Sequence, residues 1–115
     1  VMVSGIPNYV CVLGSVNLAW TVRAGLILQW ACRLLDHLQR HQFSAAVPVV
    51  PEHELRHSAR RPFAQGFSPT YITRDASVMP QQLDRDPWLL HNLDHARDTK
   101  SLSAPIAADG ALRFF

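Results

Sequence analysis

Residues 17–35 read NLAWTVRAGLILQWACRLL, a strongly apolar stretch with two tryptophans and only two charged side chains. Plotted at 3.6 residues per turn, its apolar side chains fall on one face of a helix, with polar side chains opposite. The apolar face consists of Trp20, Ala24, Ile27, Leu28, Ala31, Leu34, Leu35 and Leu38. The pattern predicts one long helix over about residues 18–41, with Asn17 or Thr21 as its N-cap.

A continuous apolar run, YVCVL, occupies residues 9–13 ahead of this helix. Such a run suits a short strand that is buried on both faces, as in parallel α/β sheets, so the predicted fold class is α/β. From residue 44 onward, frequent prolines interrupt the chain and predict a mostly irregular tail. Within the tail we expect an edge strand in residues 43–51, a short helix near residues 87–98 and a last strand at residues 111–115.

Composition bounds the possible functions. The net charge of +2 is too small and too dispersed to indicate nucleic-acid binding. A membrane span is disfavoured because Arg23 would lie near the bilayer centre, at a cost of about 2.5–3.5 kcal/mol. The alternative function that stays open is a small membrane-anchored or partner-binding protein with residues 9–35 as its anchor. Cys11 and Cys32 are predicted to be buried, reduced thiols of a cytoplasmic protein.

Residues 53–57, HELRH, match the H-E-x-x-H pattern that binds zinc on a helix. Prolines at 51 and 62 leave little room for a long helix, and Arg56 places a cation beside the metal position. A third ligand at the expected downstream spacing is also missing. We therefore predict no metal site. Two further histidine pairs at i, i+4 spacing are interpreted as surface histidines, namely His37 with His41 and His91 with His95.

Several short motifs, in their order along the chain, resemble flavin-dependent monooxygenases of the Baeyer–Villiger type, in the branch that also oxidises thioamide sulfur. The first half contributes PN at residues 7–8, the apolar run, Gly14, Asn17, WT at residues 20–21 and CRLL at residues 32–35. The second half contributes RPFAQGFSPTYITR at residues 61–74, PQQ at 80–82, DPW at 86–88 and DGALRF at 109–114. Thr70 departs from the pattern, which usually has glycine there, and NL at residues 92–93 replaces Asn–Tyr.

The resemblance implies that residues 1–43 are the last strand and helix of a Rossmann-like FAD-binding domain. Residues 44–115 would be an irregular C-terminal extension that wraps the parent domain. In such enzymes NADPH reduces FAD, and a flavin C4a-peroxide inserts oxygen into ketones or oxidises sulfur or nitrogen. The glycine-rich motifs for FAD and NADP, and the catalytic arginine, are absent from this chain. The resemblance therefore implies a fragment that is inactive alone and that needs its upstream domain for folding.

The same resemblance implies a cofactor-facing turn at the start of the long helix. There the helix N-terminus would point at the pyrimidine edge of the flavin, with Asn17, Trp20 and Thr21 as cofactor-binding residues and Trp20 also lining the substrate side. The residue pattern alone leaves helix capping open for Asn17 and Thr21, and core packing open for Trp20. The implied partner of the parent enzyme is a small ketone or sulfide.

Overall fold

The structure is a computed structural model that describes residues 1–15, 17–62, 70–91 and 93–115, without the side chain of Ile72. Its elements in chain order are α1 (Trp20–Arg40), β1 (Ala46–Pro48), α2 (Glu52–His57), β2 (Arg60–Pro62), α3 (Thr70–Asp75), β3 (Gln81–Leu83), α4 (His95–Ser103) and β4 (Leu112–Phe114). The chain divides into two compact units. One comprises Val1–Val49 with His91–Phe115, and the other comprises Val50–Leu90. The predicted boundary at residue 43 concerns the parent domain and stays a prediction.

The predicted long helix is confirmed as α1, which begins two residues later and ends one residue earlier than expected. Its buried side carries Ala24, Ile27, Leu34 and Leu38. Three other members of the predicted apolar face are exposed, however: Trp20, Leu28 and Leu35. Helical periodicity fixes which side chains share a face, but whether that face is covered depends on the elements packed against it. In the first unit, the covered part of the apolar face is narrower than the sequence predicts.

The first unit is built on a small core and a two-stranded sheet. Leu34, Leu38 and Ala46 form the buried cluster, and partly buried apolar side chains pack against it, including Trp30 and Phe114. Strands β1 and β4 pair antiparallel, with Ala46 opposite Phe114. The predictions of an edge strand within residues 43–51 and a last strand at residues 111–115 are thereby confirmed. Since each strand has a single neighbour, Pro48 is tolerated at the end of β1.

Asn8, the second residue of the PN motif, fastens the start of the chain to β1. Its backbone N–H donates to the carbonyl of Ala46 at 3.0 Å, and its side-chain Oδ1 accepts from the Ala46 amide at 2.9 Å. Its Nδ2 also donates to the carbonyl of Ser44 at 3.1 Å. The φ angle of 55° lies in the left-handed region, which asparagine adopts more readily than most residues. The PN motif therefore has a structural role in the sheet edge.

The apolar run at residues 9–13 does not form a strand, so this part of the predicted fold is wrong. Tyr9 is exposed and the following four residues are only partly buried. The Cys11 amide donates to the carbonyl of Val1 at 2.7 Å, but among the described residues no strand lies beside the run. A strand requires a neighbour that supplies a hydrogen-bonding ladder, and an apolar pattern does not specify that neighbour. The described sheets are both antiparallel, so the structure itself supports an α/β fragment and not specifically a Rossmann-like one.

The second unit has more regular structure than the predicted irregular tail. It contains two six-residue helices, α2 and α3, and an antiparallel pair formed by β2 and β3. Gln82 is buried, and its side chain donates to the carbonyl of Pro62 at 2.9 Å and accepts from the amide of Leu90 at 2.7 Å. The proline positions predicted where regular structure is interrupted, but they did not predict the pairing of β2 with β3. Residues 63–69 of the RPF motif lie outside the described residues, as does Asn92.

The short helix near the end of the chain lies later than predicted. It spans His95–Ser103, whereas the prediction placed it near residues 87–98 with Pro87 in its first turn. Asp94 is the N-cap, and its carboxylate accepts the amide of Arg97 at 3.0 Å. Trp88 instead closes a turn, because its amide donates to Arg85 and its carbonyl accepts from Leu83. A side-chain cap thus determined the helix start in place of the proline.

Two further expectations concern membranes and thiols. None of the helices among the described residues is long and apolar enough to cross a membrane. The alternative with residues 9–35 as a membrane anchor is therefore not favoured. Both cysteines are free thiols, as predicted, but Cys11 is only partly buried and Cys32 is exposed. The prediction of two buried thiols is wrong for Cys32, which lies on the uncovered part of the apolar face of α1.

Candidate functional site

The candidate site is the turn that leads into α1, together with the first turn of that helix. Gly14 is buried in this turn, and a Cβ atom built on it would overlap the indole of Trp20. A side chain at residue 14 therefore cannot coexist with Trp20 in this position. Asn17 holds the middle of the turn, since its Nδ2 donates to the carbonyl of Leu93 at 2.8 Å and its Oδ1 accepts from the Ser15 hydroxyl at 3.2 Å.

Helix α1 starts without a side-chain cap. Ala19 is the N-cap, with φ of -54° and ψ of 128°, and it gives the helix no side-chain cap hydrogen bond. The prediction that Asn17 or Thr21 caps the helix is therefore wrong. Asn17 bonds to Leu93 instead, and Thr21 lies inside the first turn. The first turn also contains no acidic residue, so the positive end of the helix dipole is not neutralised locally.

The three predicted site residues lie together at the exposed surface. Asn17 precedes the helix start, and Trp20 and Thr21 are its first two residues. Trp20 is 55% exposed, so it is not part of the core formed by the described residues. Leu18 and Val22 are also exposed beside it. The site therefore presents apolar side chains around an uncapped helix N-terminus.

A buried ion pair between α1 and α4 stabilises this turn. Arg23 and Asp98 are 3% and 4% exposed, and the guanidinium donates to both carboxylate oxygens, at 2.7 and 3.2 Å. The remaining arm of Arg23 donates to the carbonyl of Leu13 at 2.6 Å. Bidentate pairs of this kind fix orientation as well as charge. Arg23 therefore ties α1, α4 and the segment that enters the turn to one another.

The pairing of Arg23 was not predicted, although the sequence carried a signal for it. At 100° per residue, Arg23 falls beside Ile27 and Leu34 on the buried side of the helix. A buried cation requires a partner, because leaving it unpaired in an apolar interior is very costly. The partner itself could not be read from the pattern, since Asp98 is 75 positions away.

The histidine motif does not assemble a metal site among the described residues. Residues 53–57 do lie in helix α2, yet no group of three metal-binding side chains comes together in the described part of the chain. The Glu54 carboxylate accepts from the Ser58 hydroxyl at 3.1 Å and pairs with Arg85 at 3.4 Å. His57 bonds through Nδ1 to the carbonyl of His53 at 2.7 Å. These contacts give the HELRH side chains structural partners.

The other histidine pairs are not simply surface residues. The rings of His37 and His41 are tilted against each other with centroids 4.5 Å apart, and both rings lie near Phe43. His91 is buried and precedes α4, whereas His95 is its first residue, so the prediction of a surface pair is wrong for His91. Aromatic packing explains the first pair without a ligand.

Replacing Gly14 with alanine is predicted to displace Trp20. The added methyl group occupies the position of the indole, and the exposed ring can swing away into solvent. We expect a changed near-ultraviolet circular dichroism spectrum and a small loss of stability, about 1–3 kcal/mol as for other overpacked sites. Gly25→Ala is the matched control, since no atom lies within 4 Å of the position that its methyl group would take, and alanine favours a helix by about 0.5–1 kcal/mol. Equal spectra for the two variants would contradict the packing of Trp20 on Gly14.

Comparison with known proteins shows which enzymes this chain is similar to. The chain is homologous over nearly its whole length to FAD-containing monooxygenases. It is 34% identical over 98% of its length to the FAD-containing monooxygenase EthA of Mycobacterium tuberculosis. It is 31% identical over 99% of its length to AlmA of Acinetobacter baylyi, which is named a probable FAD-binding monooxygenase. The chain spans about 22% of the length of these FAD-containing monooxygenases, to which it is similar over nearly all of its own sequence. Neither a family model nor a solved structure matches it.

The residues at the start of α1 fit the flavin that these relatives are named for. A flavin needs an apolar surface for its ring and hydrogen-bond donors for the negative charge that the reduced form carries near N1 and C2=O. The exposed indole of Trp20 and the side chains of Leu18 and Val22 supply the former. The uncapped first turn, without a carboxylate, supplies the latter. The residues present are thus compatible with one edge of an FAD site.

Proposed function

We propose that the chain is the C-terminal part of an FAD- and NADPH-dependent monooxygenase of the Baeyer–Villiger type. Residues 1–43 would belong to its FAD-binding domain and residues 44–115 to a C-terminal extension. NADPH would supply the two electrons that reduce FAD, and FAD would supply the activation of O₂, so that one oxygen atom is inserted into a small ketone or added to sulfur or nitrogen and the other leaves as water. Homology over 98% of the chain to EthA supports the class of enzyme. Because the chain has no glycine-rich nucleotide motif, we expect it to be inactive alone.

The observation that carries the assignment of the site is the uncapped N-terminus of α1. First-turn N–H groups and the helix dipole together favour an anionic group by about 0.3–1 kcal/mol, or more when partly buried. In the parent enzyme these amides would face the pyrimidine edge of the flavin. Arg23 holds the turn in place through Leu13 and Asp98, so the amides are oriented before the cofactor binds.

The three site residues have different proposed roles. Thr21 would present its backbone amide, and its hydroxyl, to the flavin edge. Trp20 would form an apolar wall that excludes water and lines the substrate side. Asn17 would be a positioning residue, because its side chain is hydrogen-bonded to Leu93 and Ser15 and thereby holds the conformation of the turn. None of the three is proposed as a catalytic residue.

The test uses a chimera in which this chain replaces the matching segment of M. tuberculosis EthA, called the chimera below. If the proposal is right, the purified chimera is yellow with bound FAD and oxidises NADPH faster when a ketone or sulfide is added. A colourless chimera that is folded by circular dichroism and consumes no NADPH would contradict the proposed function.

Thr21→Glu tests the cofactor-facing turn within the chimera. A carboxylate in the first turn favours the helix by about 0.3–1 kcal/mol, so the folded protein should be no less stable. The same charge opposes the anionic edge of reduced flavin, so we expect FAD to bind about tenfold more weakly and its reduction potential to become more negative. Gln29→Glu, an exposed change two turns along α1, is the control and should alter neither quantity. If Thr21→Glu leaves FAD affinity and potential unchanged, α1 does not start beside the flavin.

A cytoplasmic location is also proposed for the parent enzyme. It is supported by two cysteines that remain free thiols, one of them exposed, which is typical of a reducing compartment.

A further inference from the structure

Helix α1 exposes half of its apolar sector. Apolar or small side chains extend over about 200° of its circumference at 100° per residue. The covered part of the sector carries Ala24, Ile27, Leu34 and Leu38. The adjoining part carries Leu28, which is 54% exposed, Leu35, which is 65% exposed, and the exposed Cys32. A helix on the outside of a finished protein has a polar surface in this position.

The exposed residues Leu28, Cys32 and Leu35, together with the half-buried Gly25, form a continuous strip, which we call the outer strip. Its members recur at intervals of three and four residues and so lie above one another along the helix. A methyl group built on Gly25 has no atom within 4 Å, so the strip has an open notch at its N-terminal end. The strip contains no charged residue; Thr21 and Gln39 bound it at its two ends, and Gln29 and Asp36 at its far edge.

We propose that the outer strip is the surface on which α1 packs against the part of the monooxygenase polypeptide that lies outside these 115 residues. This inference rests on the proposed function. The occupant is argued from length, because the chain spans only 22% of the relatives that it matches over nearly all its own sequence. The small residues Gly25 and Cys32 allow a backbone to approach closely, while Leu28 and Leu35 project beyond them.

The chemistry of the strip favours that occupant over others. A membrane surface would favour a row of unpaired basic residues beside the apolar strip, but the flank carries Gln29 and Asp36, and its Arg40 is paired with Asp36 at 3.0 Å. The exposed thiol in the centre of the strip would be protected from oxidation once covered. Cys32 therefore also serves as a reporter of whether the surface is covered.

The experiment adds a protease site to the chimera, between the EthA portion and this chain. After cleavage, size-exclusion chromatography shows whether the 115-residue segment stays with the larger portion. We expect the segment to co-elute, and the double variant Leu28→Gln with Leu35→Gln to be released. Val78→Gln, a change at an apolar residue that is 82% exposed in the second unit, is the matched control and should co-elute.

Alkylation of Cys32 by a maleimide, located by mass spectrometry, gives the second readout. We expect Cys32 to react at least about tenfold more slowly in the uncleaved chimera than in the isolated chain, as for other thiols that react only on local opening. Release of the segment from the unmodified cleaved chimera, or equal reactivity in both forms, would overturn the inference. Co-elution of the Leu28 and Leu35 double variant would do the same.

The two proposals can fail separately. A yellow chimera in which Cys32 stays reactive keeps the proposed function and overturns the packing surface. A colourless chimera in which Cys32 is protected and the segment co-elutes does the reverse. If the chimera is insoluble, the same alkylation is carried out on the isolated chain. A discrete dimer in which Cys32 is protected would show that a second copy of the chain covers the outer strip, and would overturn the inference. A chain with reactive Cys32, which becomes less prone to aggregate when Leu28 and Leu35 are replaced by glutamine, supports it.

Discussion

Replacing Asp98 with alanine is expected to lower the free energy of unfolding by about 3–5 kcal/mol, because it leaves the buried guanidinium of Arg23 without its partner. Both side chains are almost fully buried and share two hydrogen bonds. Domains of this size are stable by only about 5–15 kcal/mol, so the loss would be a large part of the total. The thermal midpoint of the chimera measures the effect, as does urea unfolding of the isolated chain once circular dichroism shows that it folds.

Two further variants separate the buried pair from ordinary surface charges. Asp36→Ala removes the partner of Arg40, but that pair is more than half exposed and should cost below about 1 kcal/mol. Replacing Arg23 with methionine and Asp98 with leucine together should recover most of the stability, since an apolar pair of similar size leaves no buried charge. Equal losses for Asp98→Ala and Asp36→Ala would contradict the account of the ion pair.

Replacing Ile27 with alanine is expected to cost about 2–5 kcal/mol, the range for a large buried aliphatic residue. Ile27 is fully buried, whereas its neighbour Leu28 is 54% exposed. In the isolated chain Leu28→Ala should therefore lower the free energy of unfolding by less than about 1 kcal/mol. Two adjacent residues of the same size are thus expected to give losses of very different magnitude. The comparison uses urea midpoints of the two variants.

The chimera changes the expectation for Leu28 only. If the outer strip is covered there, Leu28→Ala should lower the thermal midpoint nearly as much as Ile27→Ala does. A small effect of Ile27→Ala in the isolated chain would contradict the core described for the first unit. A small effect of Leu28→Ala in the chimera would contradict the packing surface.

The long helix could be predicted because its evidence is local and repeated over six turns. Its bounds are within two residues of the expectation. The short strands near residues 46–48 and 112–114 were also predicted, since apolar runs bounded by proline or glycine are local signals. Periodicity could not predict which apolar side chains are covered by other elements. Leu28 and Leu35 share a face with Ile27, yet only Ile27 is buried.

The failed predictions depend on contacts between distant parts of the chain. The apolar run at residues 9–13 has the composition of a strand but no neighbour to pair with among the described residues. Asn17 has the chemistry of an N-cap, but its amide is used by a carbonyl 76 positions away. Arg23 is similarly explained by Asp98, 75 positions away. The site residues were proposed from resemblance, and their exposure at an uncapped helix start gives that proposal a physical basis.

The central claim is that the first turn of α1 faces the flavin of the parent monooxygenase, and a crystal structure of the chimera with FAD tests it most directly. The account predicts that at least one backbone N–H from residues 19–22 lies within about 3.5 Å of an oxygen or nitrogen of the isoalloxazine ring. It also predicts that the indole of Trp20 borders the same ring. Other protein elements standing between the bound flavin and the start of α1 would contradict the claim.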